Sequence, residues 1–287
     1  MGTATPTAEG PAYPKLAFPA PEQAPLVAAC AKAPTAPDAP PVPAAFRGSE
    51  SVLTLPTGEP VDRTRRVYVW RPPGPDSARY PVVYLLHGLP GNPMSALHVS
   101  GAQGDADQWA YQGHLPVVFV VPDGRSSAAK DPEWGDDVRR RFAFEHWMLR
   151  TVIPSVEGTH PRPARLRAVV GFSMGAFGAM DYYLRHRDVF GQVAALAGYW
   201  RIDDPDGVFG TSARTRAAWD PVRLAARATG GRVLIVSSCR SKDEPMVAAL
   251  RAHGADVTHV RLVGGHTWLL VRDNLPAVIR WLSERWR

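Results

Sequence analysis

Gly171-Phe172-Ser173-Met174-Gly175 constrains the fold of this 287-residue chain more than any other segment, because of what flanks it. Leu166-Arg-Ala-Val-Val170 is a short apolar run that reads as a buried strand, and Ala176 to Leu184 reads as a helix. A serine on a sharp strand-to-helix turn takes strained backbone angles. Glycines two positions before and two after it leave strand and helix room to cross. Such a turn lifts the hydroxyl above the sheet and sets it at a helix N-terminus, where backbone N–H groups stabilise negative charge. Alone, the pentapeptide also fits a glycine-rich loop with a surface serine; its flanks make Ser173 a candidate nucleophile.

A nucleophilic serine on this kind of elbow takes its acid and then its histidine from later in the chain. His266, in Gly264-Gly-His-Thr-Trp268, follows the strand-like Val257–Val263 and precedes a helix-like C-terminal segment, so it sits on a loop at a strand end. It is the candidate base. The acid should follow the strand Arg232–Val236, and Asp243 and Glu244 are the carboxylates nearest that end; Asp243 is preferred and Glu244 is the second choice. Whichever is not the acid is available to cap the helix beginning at Pro245. His87 closes the strand Pro81–Leu86 and opens His87-Gly88-Leu89-Pro90-Gly91, where its hydrogen bonds are expected to shape the loop. His146, His186, His253 and His259 fall within helix-like or strand-like segments and read as structural or exposed.

With these landmarks placed, the sequence resembles the esterase-D-like family of α/β-hydrolase esterases. That family includes feruloyl and acetyl-xylan esterases, siderophore esterases and the antigen 85 mycolyltransferases. Tyr80–Gly88, Val120-Val-Pro-Asp-Gly124, Val170–Gly175 and Gly264–Trp268 carry the resemblance, which spans about residues 50 to 285. It implies Ser173 as nucleophile, His266 as base, and the backbone N–H groups of Leu89 and Met174 as an oxyanion hole. It also implies an α/β-hydrolase fold without a cofactor. Two departures matter. The mycolyltransferases carry an aspartate where this chain has His87, which favours a hydrolase. The stretch Ser238–Asp243 departs from the family's usual Gly-x-x-Asp-like pattern, so the family does not choose the acid.

Strand-like and helix-like segments alternate from residue 81 to the end, as in a single α/β domain. The near-uniform apolar runs Val117–Val121, Leu166–Val170 and Arg232–Val236 read as parallel strands buried on both faces. Ser51–Leu55 and Arg66–Trp70 alternate more and are expected to form an antiparallel start to a mostly parallel central sheet with helices on both faces. Eleven of the 29 prolines precede residue 44, so residues 1–47 read as a Pro/Ala-rich extended arm or linker and residues 48–287 as the catalytic domain. Cys30 and Cys239 are too few for a disulfide framework; one bridge pinning the arm to the body and two separate thiols are both open.

The net charge of +6 comes from scattered lysines and arginines, with Arg139-Arg-Arg141 the one tight run and no nucleic-acid-binding signature. No metal-ligand spacing and no run of about 18 apolar residues is present. The expected protein is therefore a serine carboxylic-ester hydrolase with a Ser-Asp-His triad and an acyl-enzyme intermediate. Its expected substrate is a small-molecule or polysaccharide-linked ester, with no nucleic acid partner and no integral membrane segment. A secreted or cell-envelope location with its signal removed is one expectation, the cytoplasm the other. Two other readings remain: an acyltransferase of the mycolyltransferase type, and a catalytically silent binding relative. The loop tryptophans Trp109, Trp134 and Trp200 read either as lining a cleft or as edge packing.

Overall fold

In a computed structural model, residues 31–32, 41–73, 79–202, 204–239, 241–263 and 265–286 are described. Among them nine strands form one sheet: β1 (Ala31–Lys32), β2 (Ser49–Pro56), β3 (Thr64–Arg71), β4 (Val82–Leu86), β5 (Val118–Pro122), β6 (Arg167–Phe172), β7 (Gln192–Leu196), β8 (Arg232–Ser238) and β9 (Asp256–Val263). Their order is β1-β9-β8-β7-β6-β4-β5-β3-β2. Only the β2–β3 and β3–β5 pairings are antiparallel, so the antiparallel start and the parallel body both stand as expected. The helices are α1 (Ala102–Tyr111), the short α2 (Phe144–Trp147) and α3 (Ile153–Glu157), α4 (Met174–Arg185), α5 (Ala213–Ala217), α6 (Pro221–Leu224), α7 (Glu244–Ala252) and α8 (Trp268–Ser283).

The uniform apolar runs divide by alternation between the two faces, because successive side chains of a strand point opposite ways. Val82, Tyr84, Leu86, Val169, Val233 and Ile235 join Met174, Phe177 and Met180 of α4 and Met246 and Leu250 of α7 in one core. Val83, Leu85, Val170, Phe172, Leu234 and Val236 join Ala106 and Trp109 of α1 and Leu275, Val278 and Leu282 of α8 in the other. Burial on both faces is what makes these strands read as unbroken Val/Leu/Ile. Each fully buried aliphatic side chain contributes about 1.5–3 kcal/mol. The sheet centre, β4-β6-β7, is buried throughout on both faces, and it carries the serine.

Most of the expected arm, residues 1–47, lies outside the described residues, and Cys30 with it. The described part includes β1, which pairs in parallel with the end of β9, Ala31 against Leu262 and Lys32 against Val263. Cys239, directly after β8, is disulfide-bonded; the one other cysteine of the sequence is Cys30. The backbone N–H of Cys239 donates to Leu262 O at 3.1 Å, so Cys239 stands beside the β9 end that leads to His266. A disulfide contributes about 2–4 kcal/mol, chiefly by restricting the unfolded chain. Cys239→Ser, or reduction, should lower Tm by several degrees in thermal unfolding followed by circular dichroism. An unchanged Tm under both treatments would show that the bridge does not hold the folded chain.

Candidate active site

Strand β6 delivers Ser173 to the turn before α4 with φ 57° and ψ −119°, in the left-handed region that a non-glycine residue enters at a cost of about 1–3 kcal/mol. The backbone N–H of Ser173 donates to Leu196 O at 3.0 Å, and Ser173 O accepts from the N–H groups of Ala176 and Phe177. The two glycines of the pentapeptide are required by contact. A Cβ on Gly171 would stand 1.9 Å from Gly175 O, and one on Gly175 would stand 2.1 Å from Leu86 O.

His266 arrives from the loop between β9 and α8 and meets the serine, with Nε2 and Ser173 Oγ 2.7 Å apart. Burial holds its imidazole below the ordinary 6.5, so the neutral, proton-accepting form is favoured. Phe172 packs on the imidazole, ring centroids 5.0 Å apart.

The two candidate acids have other partners in the structure. Asp243 is 1% exposed and sits at the N-cap of α7. Its Oδ1 accepts a hydrogen bond from the indole N–H of Trp200. Its Oδ2 lies 3.9 Å from His259 Nε2 and has no hydrogen-bond partner among the described residues. His259 Nε2 is 3.0 Å from Ser237 Oγ. Glu244 opens α7 and pairs with Arg261 at 3.1 Å. Among the described residues, neither carboxylate is hydrogen-bonded to His266.

His87 is fully buried and shapes the loop it opens. The Gly124 N–H donates to Nε2 at 2.9 Å, which leaves the ring proton on Nδ1, 2.9 Å from Gly88 O. Sequence reasoning did not find what clamps this histidine from outside. Trp134, fully buried rather than lining a cleft, donates its indole N–H to His87 O at 3.0 Å, and the Tyr182 hydroxyl donates to Trp134 O at 2.7 Å. The signal available was Gly124 and Gly178: a Cβ on either would stand 2.3–2.4 Å from Trp134. Trp109 and Trp200 are buried as well.

Gly88 packs on the nucleophile so closely that a Cβ there would lie 2.8 Å from Ser173 Cβ. Leu89 follows it, and Met174 is the first residue of α4, whose N–H has no acceptor within the helix. A cleft of about 530 Å³ adjoins Leu89 and is walled by Arg125 to Lys130 and Asp206. Asp62 pins that wall, accepting from Ser126 Oγ at 2.9 Å and from Ser127 N and Oγ at 2.9 and 2.7 Å. Among the described residues no group of three or more His, Cys, Asp or Glu side chains is placed to hold a metal, and no helix is long and apolar enough to cross a membrane.

A mostly parallel sheet between two helical layers, with a serine on a strand-to-helix elbow facing a histidine from a later loop, defines an α/β hydrolase. Residues 58–277 match the model of the family described as "Putative esterase", and the chain belongs to that family. Esterase Rv1288 of Mycobacterium tuberculosis (strain ATCC 25618 / H37Rv) is 29% identical over 125 residues, 42% of this chain. The match spans about a quarter (25%) of that relative's length. Among solved structures, a ferulic acid esterase superposes with a TM-score of 0.71 at 20% identity, over 83% of this chain and 98% of the other. An S-formylglutathione hydrolase from Agrobacterium tumefaciens superposes with a TM-score of 0.68 at 18% identity, over 85% of this chain and 98% of the other. These two likenesses agree on the fold.

The glycines of the site should separate by substitution. Gly171→Ala forces backbone against backbone and should cost stability outright, about 1–3 kcal/mol or more, read as a fall in Tm. Gly88→Ala meets Ser173 Cβ and the Phe172 carbonyl, pushes its loop off the serine, and should cut ester hydrolysis by about 100-fold, beyond what its own fall in Tm accounts for. A fully active Gly88→Ala protein would show that the loop's close approach is not needed.

Proposed function

We propose that this protein is a serine carboxylic-ester hydrolase working through an acyl-enzyme. The observation that carries the proposal is the 2.7 Å contact between Ser173 Oγ and His266 Nε2, made on an elbow whose geometry the surrounding backbone enforces. His266 Nε2 takes the Ser173 proton as Oγ bonds to the ester carbonyl carbon. The oxyanion that forms is held by the backbone N–H groups of Leu89 and Met174. The intermediate collapses by breaking the bond to the alcohol oxygen, which takes the proton from His266. Water then loses a proton to His266 as it attacks the acyl carbon, and Ser173 leaves reprotonated. The cleft beside Leu89 takes the acyl or the alcohol part of a small-molecule or polysaccharide-linked ester.

Asp243 is assigned as the acid. It follows β8, it is buried, and its Oδ2 is open to accept the Nδ1–H of an imidazole. The disulfide at Cys239 supports an oxidising setting, as for a secreted or cell-envelope enzyme.

Native protein should hydrolyse p-nitrophenyl esters from acetate to decanoate, and Ser173→Ala should abolish this; activity surviving the substitution would remove Ser173 as nucleophile. Because the base must be neutral and burial lowers its pKa, kcat/KM should be on its plateau at pH 7. It should fall to half only below the ordinary histidine value of 6.5, and a midpoint above that value would count against His266 as the buried base. Asp243→Asn should cost about 10³- to 10⁴-fold in kcat, as for an acid that orients a catalytic imidazole. Near-native turnover would take Asp243 out of the triad.

A further inference from the structure

Phe172, the last residue of β6 and the neighbour of the nucleophile, makes contacts that the proposed chemistry leaves unexplained. The residue is 5% exposed, and its ring lies 5.0 Å from the imidazole of His266, the planes 33° apart. The same ring is 4.8 Å from the indole of Trp268, the residue that opens α8 two positions after the base. Phe172 Cδ1 and O lie 3.2 and 2.9 Å from where a Cβ on Gly88 would stand. One side chain thus bears on the base, on the helix start behind it and on the proposed oxyanion loop.

Apart from Ser173 Oγ, the imidazole has no hydrogen-bond partner among the described residues. The hydrogen bond at Nε2, even joined by the proposed one from Nδ1–H to Asp243, holds the edge of the ring and leaves its plane to whatever packs on its faces, because the torsion about the Cβ–Cγ bond has broad minima. A flat ring against its face limits how far that plane rocks, and aromatic pairs at this separation prefer tilted or offset geometry. Trp268 in turn limits where Phe172 can go.

We infer that Phe172 is a positioning residue, whose ring sets the plane of the His266 imidazole toward Ser173 Oγ and spaces it from the loop at Gly88. This rests on the serine-hydrolase reading. A residue that merely fills the core would be replaced by any apolar side chain of similar volume. A positioning ring needs its flat face. Phe172→Leu and Phe172→Met keep apolar bulk without that face, and Phe172→Tyr keeps it.

The decisive measurement is the rate at which a fluorophosphonate probe labels Ser173, located by mass spectrometry, alongside kcat and KM on p-nitrophenyl butyrate and Tm for each variant. Misplacing a reacting group by a fraction of an ångström to 1 Å costs up to about 100-fold. Phe172→Leu and Phe172→Met should therefore label, and turn over, about ten- to a hundredfold more slowly, with KM within about threefold. Phe172→Tyr should stay within about threefold of the native rate. If folded Phe172→Leu or Phe172→Met proteins label at the native rate, the positioning role is overturned while the hydrolase reading stands. Equal losses of rate in the Leu and Tyr variants would also overturn it. Native protein that the probe does not label at Ser173 would bring down the hydrolase reading, and this inference with it.

Discussion

The left-handed backbone of Ser173 is the constraint on which the rest of the site depends. A side chain held at φ 57° persists only where neighbours over-determine it, and here they do so on three sides. The Leu196 carbonyl of β7 takes the Ser173 N–H, the first turn of α4 bonds back to its carbonyl, and Gly171 and Gly175 let α4 cross β6 and β4 at backbone contact. Burial of β4, β6 and β7 on both faces offsets the local cost. The serine is thereby fixed by the most deeply packed part of the sheet, which gives the mobile partners of a reaction a fixed point to work against.

The loop opposite the serine is held by a different kind of interaction, a chain of neutral hydrogen bonds running from Tyr182 through Trp134 to His87 and on to Gly88 and Gly124. Every link is buried, so each is worth most where water cannot compete, and breaking one would strand its partner. His87 works here as a rigid bracket: one nitrogen accepts from a backbone N–H and the other faces a carbonyl, which fixes both the ring and its tautomer. The wall formed by Ser126 and Ser127, pinned by Asp62, adds a second anchored segment beside Leu89. Loop positions that would otherwise fluctuate are in this way tied to the same core as the nucleophile.

The elements that could be read from the sequence are those whose pattern is local. Val118–Pro122 and Arg167–Phe172 advertise two-face burial, and the glycines around Ser173 advertise a tight crossing. Placing His266 beside Ser173, 93 residues earlier, was also legible, since β9 and α8 on either side fix where its loop emerges. Trp134 was not legible as a clamp, because it lies in a long irregular stretch without periodicity and is itself held at φ 56°. Nor was the two-residue pairing of Ala31–Lys32 with β9, which sits among prolines and alanines with no alternation to read. The choice between two adjacent carboxylates depended on side chains far away in sequence, Trp200 and Arg261, and no spacing rule reaches those.

Those partners nevertheless distinguish the two carboxylates physically. Glu244 is spent on Arg261 and is partly exposed, so its interaction is screened and it offers no buried lone pair. Asp243 is almost wholly buried, gives one oxygen to Trp200 and keeps the other without a hydrogen bond, although His259 stands 3.9 Å away with its own nitrogen engaged by Ser237. Leaving a buried acceptor unused costs about 1–3 kcal/mol, and folded proteins rarely carry such groups without a role. A structural carboxylate at a helix N-cap would have turned that oxygen to a backbone N–H of α7, which this one does not do. An oxygen kept open at the carboxyl end of β8 is suited to accept a hydrogen bond from an imidazole N–H. The tasks of Asp243 and Phe172 would then differ in kind, the carboxylate setting which nitrogen of His266 carries the proton and the aromatic ring setting the plane in which the other nitrogen meets the serine.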